Sequence, residues 1–466
     1  MKNLKVDLIR GNILKSLIIF AIPIFVSNLF QQLYNTADTM IVGNYLGDTS
    51  LAAMGACTAI YELLIGFSLG IGSGLSIVTA RAYGTNDEDL LKKSVAGSIV
   101  IGIFVTAIIM IISKLFLMSL LKLLGTPENI IEESYSYISL VTIFVGVMFA
   151  YNLLSGFLRS IGNSFMPLVF LIISSISNIF LDILFITKFN MGVKGAGAAT
   201  VISQGVSAIL CLVYIYKKSP NLIPSRKHFS VGTELYKELL GQGLSMGFML
   251  CIVSAGTVIL QTAINNLGYL IIAGHTAARK LSSFCMMPAA TIALSLSTFV
   301  SQNRGADEGI RIRKVVRYAN TLVIIWGILI TLVLLFTSKT LVKLLSGSDE
   351  LIVIENGAKY LIYNAPFYGV LGVLLNLRNS LQGLGEKVIP LVSSIIELGG
   401  KILFVILFIP RLKYFGVIIC EPVIWCFMCI QLIYSFYRNP YVKAHKYKIM
   451  KEDDYNENQS CNCRRV

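Results

Sequence analysis

A polar turn rich in acidic and basic residues follows a long apolar run twice in this chain, about 220 residues apart, and no single motif constrains the fold as much as this repetition. The first copy, Ser76 to Lys93, reads SIVTARAYGTNDEDLLKK; the second, Ser297 to Lys314, reads STFVSQNRGADEGIRIRK. They align without a gap, setting Gly84 against Gly305 and Lys93 against Lys314. A second pair of anchors, Gly162 and Pro167 in GNSFMP against Gly385 and Pro390 in GEKVIP, agrees after a two-residue insertion. One half has been written twice.

Of 466 residues, 55% are hydrophobic and 14% charged, and the mean hydropathy is +0.74, a balance that points to a polytopic membrane protein. Apolar runs of roughly 20 residues or more, each long enough for ~30 Å of hydrocarbon, recur about twelve times. They predict spans at 16–43, 51–80, 94–113, 134–157, 166–187 and 195–216, then at 239–264, 270–300, 316–336, 358–377, 388–409 and 416–437. The expected fold class is all-α, with twelve transmembrane helices in two pseudo-symmetric six-helix lobes. The expected divisions are a lobe over 1–218, a cytoplasmic linker over 219–235, a second lobe over 236–440 and a cytoplasmic tail over 441–466. Duplicated halves in so apolar a chain are frequent in secondary transporters, whose halves rock about a site near the membrane midplane.

The first run follows Lys2, Lys5, Arg10 and Lys15 but is too long for a signal peptide and lacks a clear small-residue cleavage site, so it reads as a retained helix. The nine cysteines are scattered. Their only close pairs, Cys426 with Cys429 and Cys461 with Cys463, lie in settings too different to share a metal. The net charge of +14 is distributed as topology rather than as a nucleic-acid surface. Arg81, Lys92, Lys93, Arg159, Lys217, Lys218, Arg226, Lys227, Arg304, Arg311, Arg313, Lys314 and Arg317 fall on one side, with Lys443, Lys446, Lys448 and Lys451 in the tail. By the positive-inside bias both termini are expected in the cytoplasm of a multi-pass plasma-membrane protein.

Ionisable residues inside the spans are the main functional signal, since each costs roughly 2.5 to 3.5 kcal/mol at a helix centre on insertion scales. Asp38 lies in the first span; Asn178 and Asp182 lie four apart on one face of the fifth; Thr200 lies in the sixth. The spans set Asp38, Asp182 and Thr200 at a similar depth, roughly 7 to 8 Å below the outer helix ends, with Asn178 a turn deeper. Two carboxylates, an amide and a hydroxyl suit Na⁺, which would make Asp38 and Asp182 metal ligands, or suit a paired-acid proton carrier. The bland reading is that each acid pairs locally and only stabilises the bundle.

At this point the residues resemble a family. Pro23 followed by YNTADTMIVGNYLG, the RAYGTND turn, SQNRGA at Ser301 to Ala306, and the repeated LRSIGNSFMP and LQGLGEKVIP resemble the multidrug and toxic compound extrusion (MATE) transporters from Gly11 to about Tyr437. The resemblance implies export of amphipathic organic cations or similar drugs in exchange for Na⁺ or H⁺, with no other cofactor. It implies a first-lobe coupling-ion site at the matching Asp38, Asn178, Asp182 and Thr200. Pro23 matches a first-helix proline associated in the family with bending, and a static kink is the equal alternative.

The second half departs from its twin. Aligned on the anchors, Asn178 maps to Lys401, Asp182 to Val405, Thr200 to Glu421 and Asp38 to Ile259. Lys401 is expected to take the place of the exchangeable cation and to pair with Glu421, with Glu397 one turn before it and Arg378 completing a charge network. The bland alternative is a purely structural network. Glu62 and Lys280 are candidates for a substrate cavity, with mutual neutralisation as the alternative; Arg279 is a further candidate. His275 reads mainly as packed, and Tyr34, Tyr61, Tyr151, Met286 and Met287 read as core or cavity lining.

The chain contains no GxxxxGK[ST] loop and no clustered nucleophile, so a single-chain ATP pump and a membrane enzyme are not expected. A lipid-linked oligosaccharide flippase of the same superfamily is the closest alternative, and a channel the alternative from another mechanistic class. Partners are expected to be small organic substrates and membrane lipid, with no nucleic acid, and the protein is expected to act as a monomer.

Overall fold

The computed structural model describes residues 5–444, which form helices and turns with no β-strand among the described residues. The first half comprises α1 (Ile13–Leu46), α2 (Asp48–Gly84), α3 (Glu88–Leu123), α4 (Glu128–Ile143), α5 (Val145–Ser160), α6 (Phe165–Ile183) and α7 (Val193–Lys218). The second comprises α8 (Thr233–Asn265), α9 (Tyr269–Gly305), α10 (Gly309–Ser346), α11 (Leu351–Asn364), α12 (Tyr368–Leu384), α13 (Val388–Leu403), α14 (Ile409–Leu412) and α15 (Tyr414–Arg438). Eleven spans are long and apolar in their own right, and α4 with α5, bent by 47°, completes twelve. The two six-helix lobes expected from the sequence are therefore present. Cys461, Cys463, Lys446, Lys448 and Lys451 lie outside the described residues.

The duplication is written into the backbone as well as the side chains. Positive φ occurs at Gly47, Asn86, Gly125, Gly162 and Asn190, and again at Gly268, Asp307, Gly347, Gly385 and Lys413, each member separated from its twin by about 220 residues. Glycine, asparagine and aspartate reach this conformation at low cost, and Lys413 is the one member of the set without that advantage. Each half also ends its fifth span in a π-turn, Leu184–Lys188 after α6 and Phe404–Phe408 between α13 and α14. Helix starts are fixed by side chains: Asn12 accepts from the Lys15 N–H and Asp87 from the Asp89 and Leu90 N–H groups.

The lobes meet along the half of the bundle nearest the termini. There α2 crosses α8 so closely that a Cβ on Gly74 would stand 2.5 Å from the Gln242 carbonyl oxygen, a crossing made possible by small residues on both helices. Arg81 on α2 pairs with Glu238 on α8 at 2.7 Å, and Gln302 Nε2 donates to the Ser160 carbonyl at 2.7 Å. Contact continues to Phe67 against Phe248 and to Cys251 beside the Leu63 carbonyl. Farther from the termini, Gly55 and Gly66 on α2 face open space, and Gln31, Asn35, Glu62 and Lys280 are exposed at membrane depth. Polar side chains are tolerated there where they line water, so the lobes enclose a cleft that opens away from the termini.

Residues 5–12 strap the closed side. The Val6 N–H donates to the Gly162 carbonyl of the first lobe at 2.9 Å. The Leu8 carbonyl accepts from Asn303 and Arg311 of the second lobe, and Leu8 is fully buried among second-lobe side chains. The connection between lobes is also docked: within it His228 is buried, with Nε2 3.3 Å from Asp89 at the start of α3.

Candidate functional site

The first-lobe site is built where α1 packs against α6. Asp38 sits eight residues before the end of α1, and Asp182 and Asn178 share one face of α6 just ahead of the π-turn. The carboxyl groups of Asp38 and Asp182 come within hydrogen-bonding reach of each other. All three side chains are buried, Asp182 completely. Asp38 Oδ1, both oxygens of Asp182 and both amide atoms of Asn178 have no hydrogen-bond partner among the described residues. Five unpartnered polar atoms in one buried place form a donor set rich in oxygen, which fits a hard cation or a shared proton.

No basic side chain pairs with these acids among the described residues. Lys188 and Lys194, the neighbouring cations along the chain, are exposed and form no ion pair with either acid. Around the pair lie Tyr34, Tyr61 and Tyr137, each close enough to feel the charge of Asp38, and the Tyr34 hydroxyl is within hydrogen-bonding reach of Gln31 and Gln204. Tyr137 and Gln204 carry no cue in the sequence, because they reach the site from α4 and α7 through tertiary packing. Thr200 stands half-buried on α7, and its hydroxyl bonds neither acid. The helices are a little longer than their apolar runs, so the acids lie roughly 9 to 12 Å from the outer ends instead of 7 to 8 Å.

The second lobe resolves its charges internally. Glu421 on α15 accepts from Arg279 on α9 at 2.6 Å and from the Tyr360 hydroxyl at 2.7 Å. Lys401 Nζ donates to Glu397 Oε1 at 2.9 Å, and Arg378 stands 3.6 Å from Glu397 Oε2 while donating to Ser393 at 3.0 Å. The pairing of Lys401 with Glu421 expected from the sequence is thus not the one formed. Glu397 lies one helical turn below Lys401 on the same face, whereas Glu421 is met from α9 by a guanidinium that an alignment of halves cannot reveal. Lys401 nevertheless lies against α8, its Cδ 3.0 Å from where a Cβ on Gly256 would stand. The packing of α13 on α8 repeats that of α6 on α1.

The remaining sequence candidates separate. Glu62 and Lys280 are both exposed, on α2 and α9, and form no ion pair with each other. Lys280 shares a helix face with Thr291, whose hydroxyl is 3.2 Å from Asn28 Nδ2 of the first lobe, so Lys280 lies on the side of α9 turned toward that lobe. His275 is packed, edge-on to Tyr360 with centroids 4.9 Å apart and with Nδ1 3.3 Å from the Tyr414 hydroxyl. Pro23 sits inside α1, which continues helical through it.

The MatE family model matches this chain twice, over residues 23–184 and 246–407. The chain is 28% identical over 440 residues to the probable multidrug resistance protein YoeA of Bacillus subtilis, covering 92% of this chain and 94% of that protein. It is 23% identical over 394 residues to the probable multidrug resistance protein NorM of Thermotoga maritima, covering 82% and 83%. A crystal structure of MATE in the bent conformation superposes with a TM-score of 0.86 at 22% identity, over 95% of this chain and 98% of that one. One module matched in tandem over two lobes, on a backbone shared nearly end to end, means that the chain belongs to the MatE family, a family of membrane transporters rather than enzymes.

Proposed function

We propose that this transporter is a cation-coupled antiporter that exports amphipathic organic cations by alternating access, with Na⁺ or H⁺ bound between Asp38 and Asp182 as the coupling ion. The observation that carries the reading is the buried acid pair, flanked by the unpartnered Asn178 amide and met by no basic side chain. Two carboxyl groups this close repel when both are ionised and attract through a shared proton or cation, so the pair binds one positive charge or remains strained. The names of the relatives, multidrug resistance and multidrug export proteins, support a drug-like substrate.

The charge distribution supports an orientation with both termini in the cytoplasm, so that the cleft opens outward. An ion entering from outside then reaches the acid pair from the open side. Its inward passage contributes about 2.3 kcal/mol per charge per 100 mV. Binding draws α1 and α6 together and lowers the affinity of the cleft for substrate, which leaves outward. Uptake of a fluorescent organic cation into inverted vesicles, driven separately by a sodium gradient and by a pH gradient, tests this: one gradient should drive transport in the wild type and neither in Asp182→Asn. Gradient-driven uptake by that variant at the wild-type rate removes the proposal.

A further inference from the structure

Arg159, on the last turn of α5, takes part in neither charge arrangement. It forms no ion pair or hydrogen bond among the described residues, and the titratable groups that interact with it, Tyr151 and Cys211, include no carboxylate. By contrast, Arg81, Arg279 and Arg378 each face a glutamate, and Arg311 donates to the Gly11 carbonyl at 2.7 Å. Arg159 is half-buried, and its guanidinium carries a positive charge that no carboxylate neutralises.

Arg159 lines a cavity of about 30 Å³ that both lobes enclose: Ser73 and Ser76 from α2 on one side, Ser297 and Thr298 from α9 on the other. The cavity lies in the closed seam, roughly 10 to 12 Å inside the termini-side helix ends. The three serine hydroxyls donate to carbonyls of their own helices, Ser73 to Leu69, Ser76 to Gly72 and Ser297 to Leu294, and can rotate toward the cavity. The Thr298 hydroxyl is uncommitted among the described residues. Gly156 lets α2 pack closely on α5, since a Cβ there would stand 2.0 Å from Ser76 Oγ. The volume is that of about two water-sized spheres, enough for a monatomic ion and too small for a phosphate or an organic headgroup.

We infer that Arg159, with the hydroxyls of Ser73, Ser76, Ser297 and Thr298, forms a site for a halide anion, chloride in a cell, that holds the seam between the lobes closed. Opening the closed side would separate Arg159, Ser73 and Ser76 from Ser297 and Thr298, so the anion loses half of its ligands as the seam parts. This site is independent of the acid pair and carries no charge of the coupling ion.

The test is thermal unfolding of the purified full-length protein in sodium chloride, bromide, formate or gluconate at equal sodium concentration and ionic strength. Chloride and bromide should raise the melting temperature above that in gluconate by a saturable increment, larger than in formate. Arg159→Gln should lose the increment and Asp38→Asn keep it, which separates failure here from failure of the coupling-ion proposal. An increment absent from the wild type, unchanged in Arg159→Gln, or as large in formate as in chloride overturns the site. Should Arg159→Gln not fold, a bromide-soaked crystal of the wild type decides: anomalous density beside Arg159 supports the site and none there overturns it.

Discussion

In the first lobe Asp38 and Asp182 face each other between α1 and α6 with no cation from the protein, whereas the matching helices of the second lobe, α8 and α13, hold Lys401 with its carboxylate, Glu397, at 2.9 Å. Glu421, which aligns with Thr200, is likewise matched by Arg279 and Tyr360. The same pair of packed helices, followed by the same π-turn, therefore carries an uncompensated negative charge in one lobe and a neutralised pair in the other. A membrane interior tolerates the second at modest cost and the first only with an exchangeable counter-ion. On the proposed reading, ion exchange falls to one half and a fixed frame to the other.

Removing the uncompensated charge should have the largest consequence. Asp38→Asn or Asp182→Asn should bring gradient-driven efflux to the background of empty vesicles while membrane levels stay at wild type; immunoblots beside the transport assay check both. Next, Lys401→Met leaves Glu397 with only the more distant Arg378, and should cost about 3 kcal/mol, the low end for breaking a buried pair. A drop in melting temperature in detergent, smaller in Lys401→Arg than in Lys401→Met, checks this. Abolished ion dependence in folded Lys401→Arg would break the contrast between lobes.

Arg279→Gln sharpens it from the other direction, by freeing Glu421 in a buried place. In an Asp38→Asn background this variant should gain a sodium- or acid-dependent rise in melting temperature that its parent lacks. The smallest effect concerns Asp349, two residues past the Gly347 turn, whose carboxyl is held below the ordinary range by its hydrogen bond from Lys343 at 2.6 Å. Its contribution is present at neutral pH and fades as pH falls through the lowered value. The pair is exposed and screened, so Asp349→Asn should leave the melting temperature within scatter at physiological salt.

The span count was legible because a membrane demands long apolar runs, and the repeat was legible because polar turns such as that at Gly162 and Gly385, both at positive φ, recur at fixed points. Glu397 with Lys401 was legible as a one-turn spacing within a helix. The partner of Glu421 was not, since Arg279 approaches from a helix about 140 residues away and no periodicity encodes that. The 47° bend at Phe144 and the π-turn at Leu184–Lys188 have no proline to announce them, whereas Pro410 follows the π-turn at Phe404–Phe408. Thr200 was grouped with the acids by depth and by family resemblance, and neither aims its side chain.

The strap formed by residues 5–12 bears on how the protein is made. Its Leu8 carbonyl awaits Asn303 and Arg311, which leave the ribosome only after some two-thirds of the chain has been synthesised. A segment made before every helix from α1 to α15 is therefore among the last to find its place. A bulky group fused directly ahead of Val6 would obstruct assembly at that late step, even though α1 itself had inserted long before.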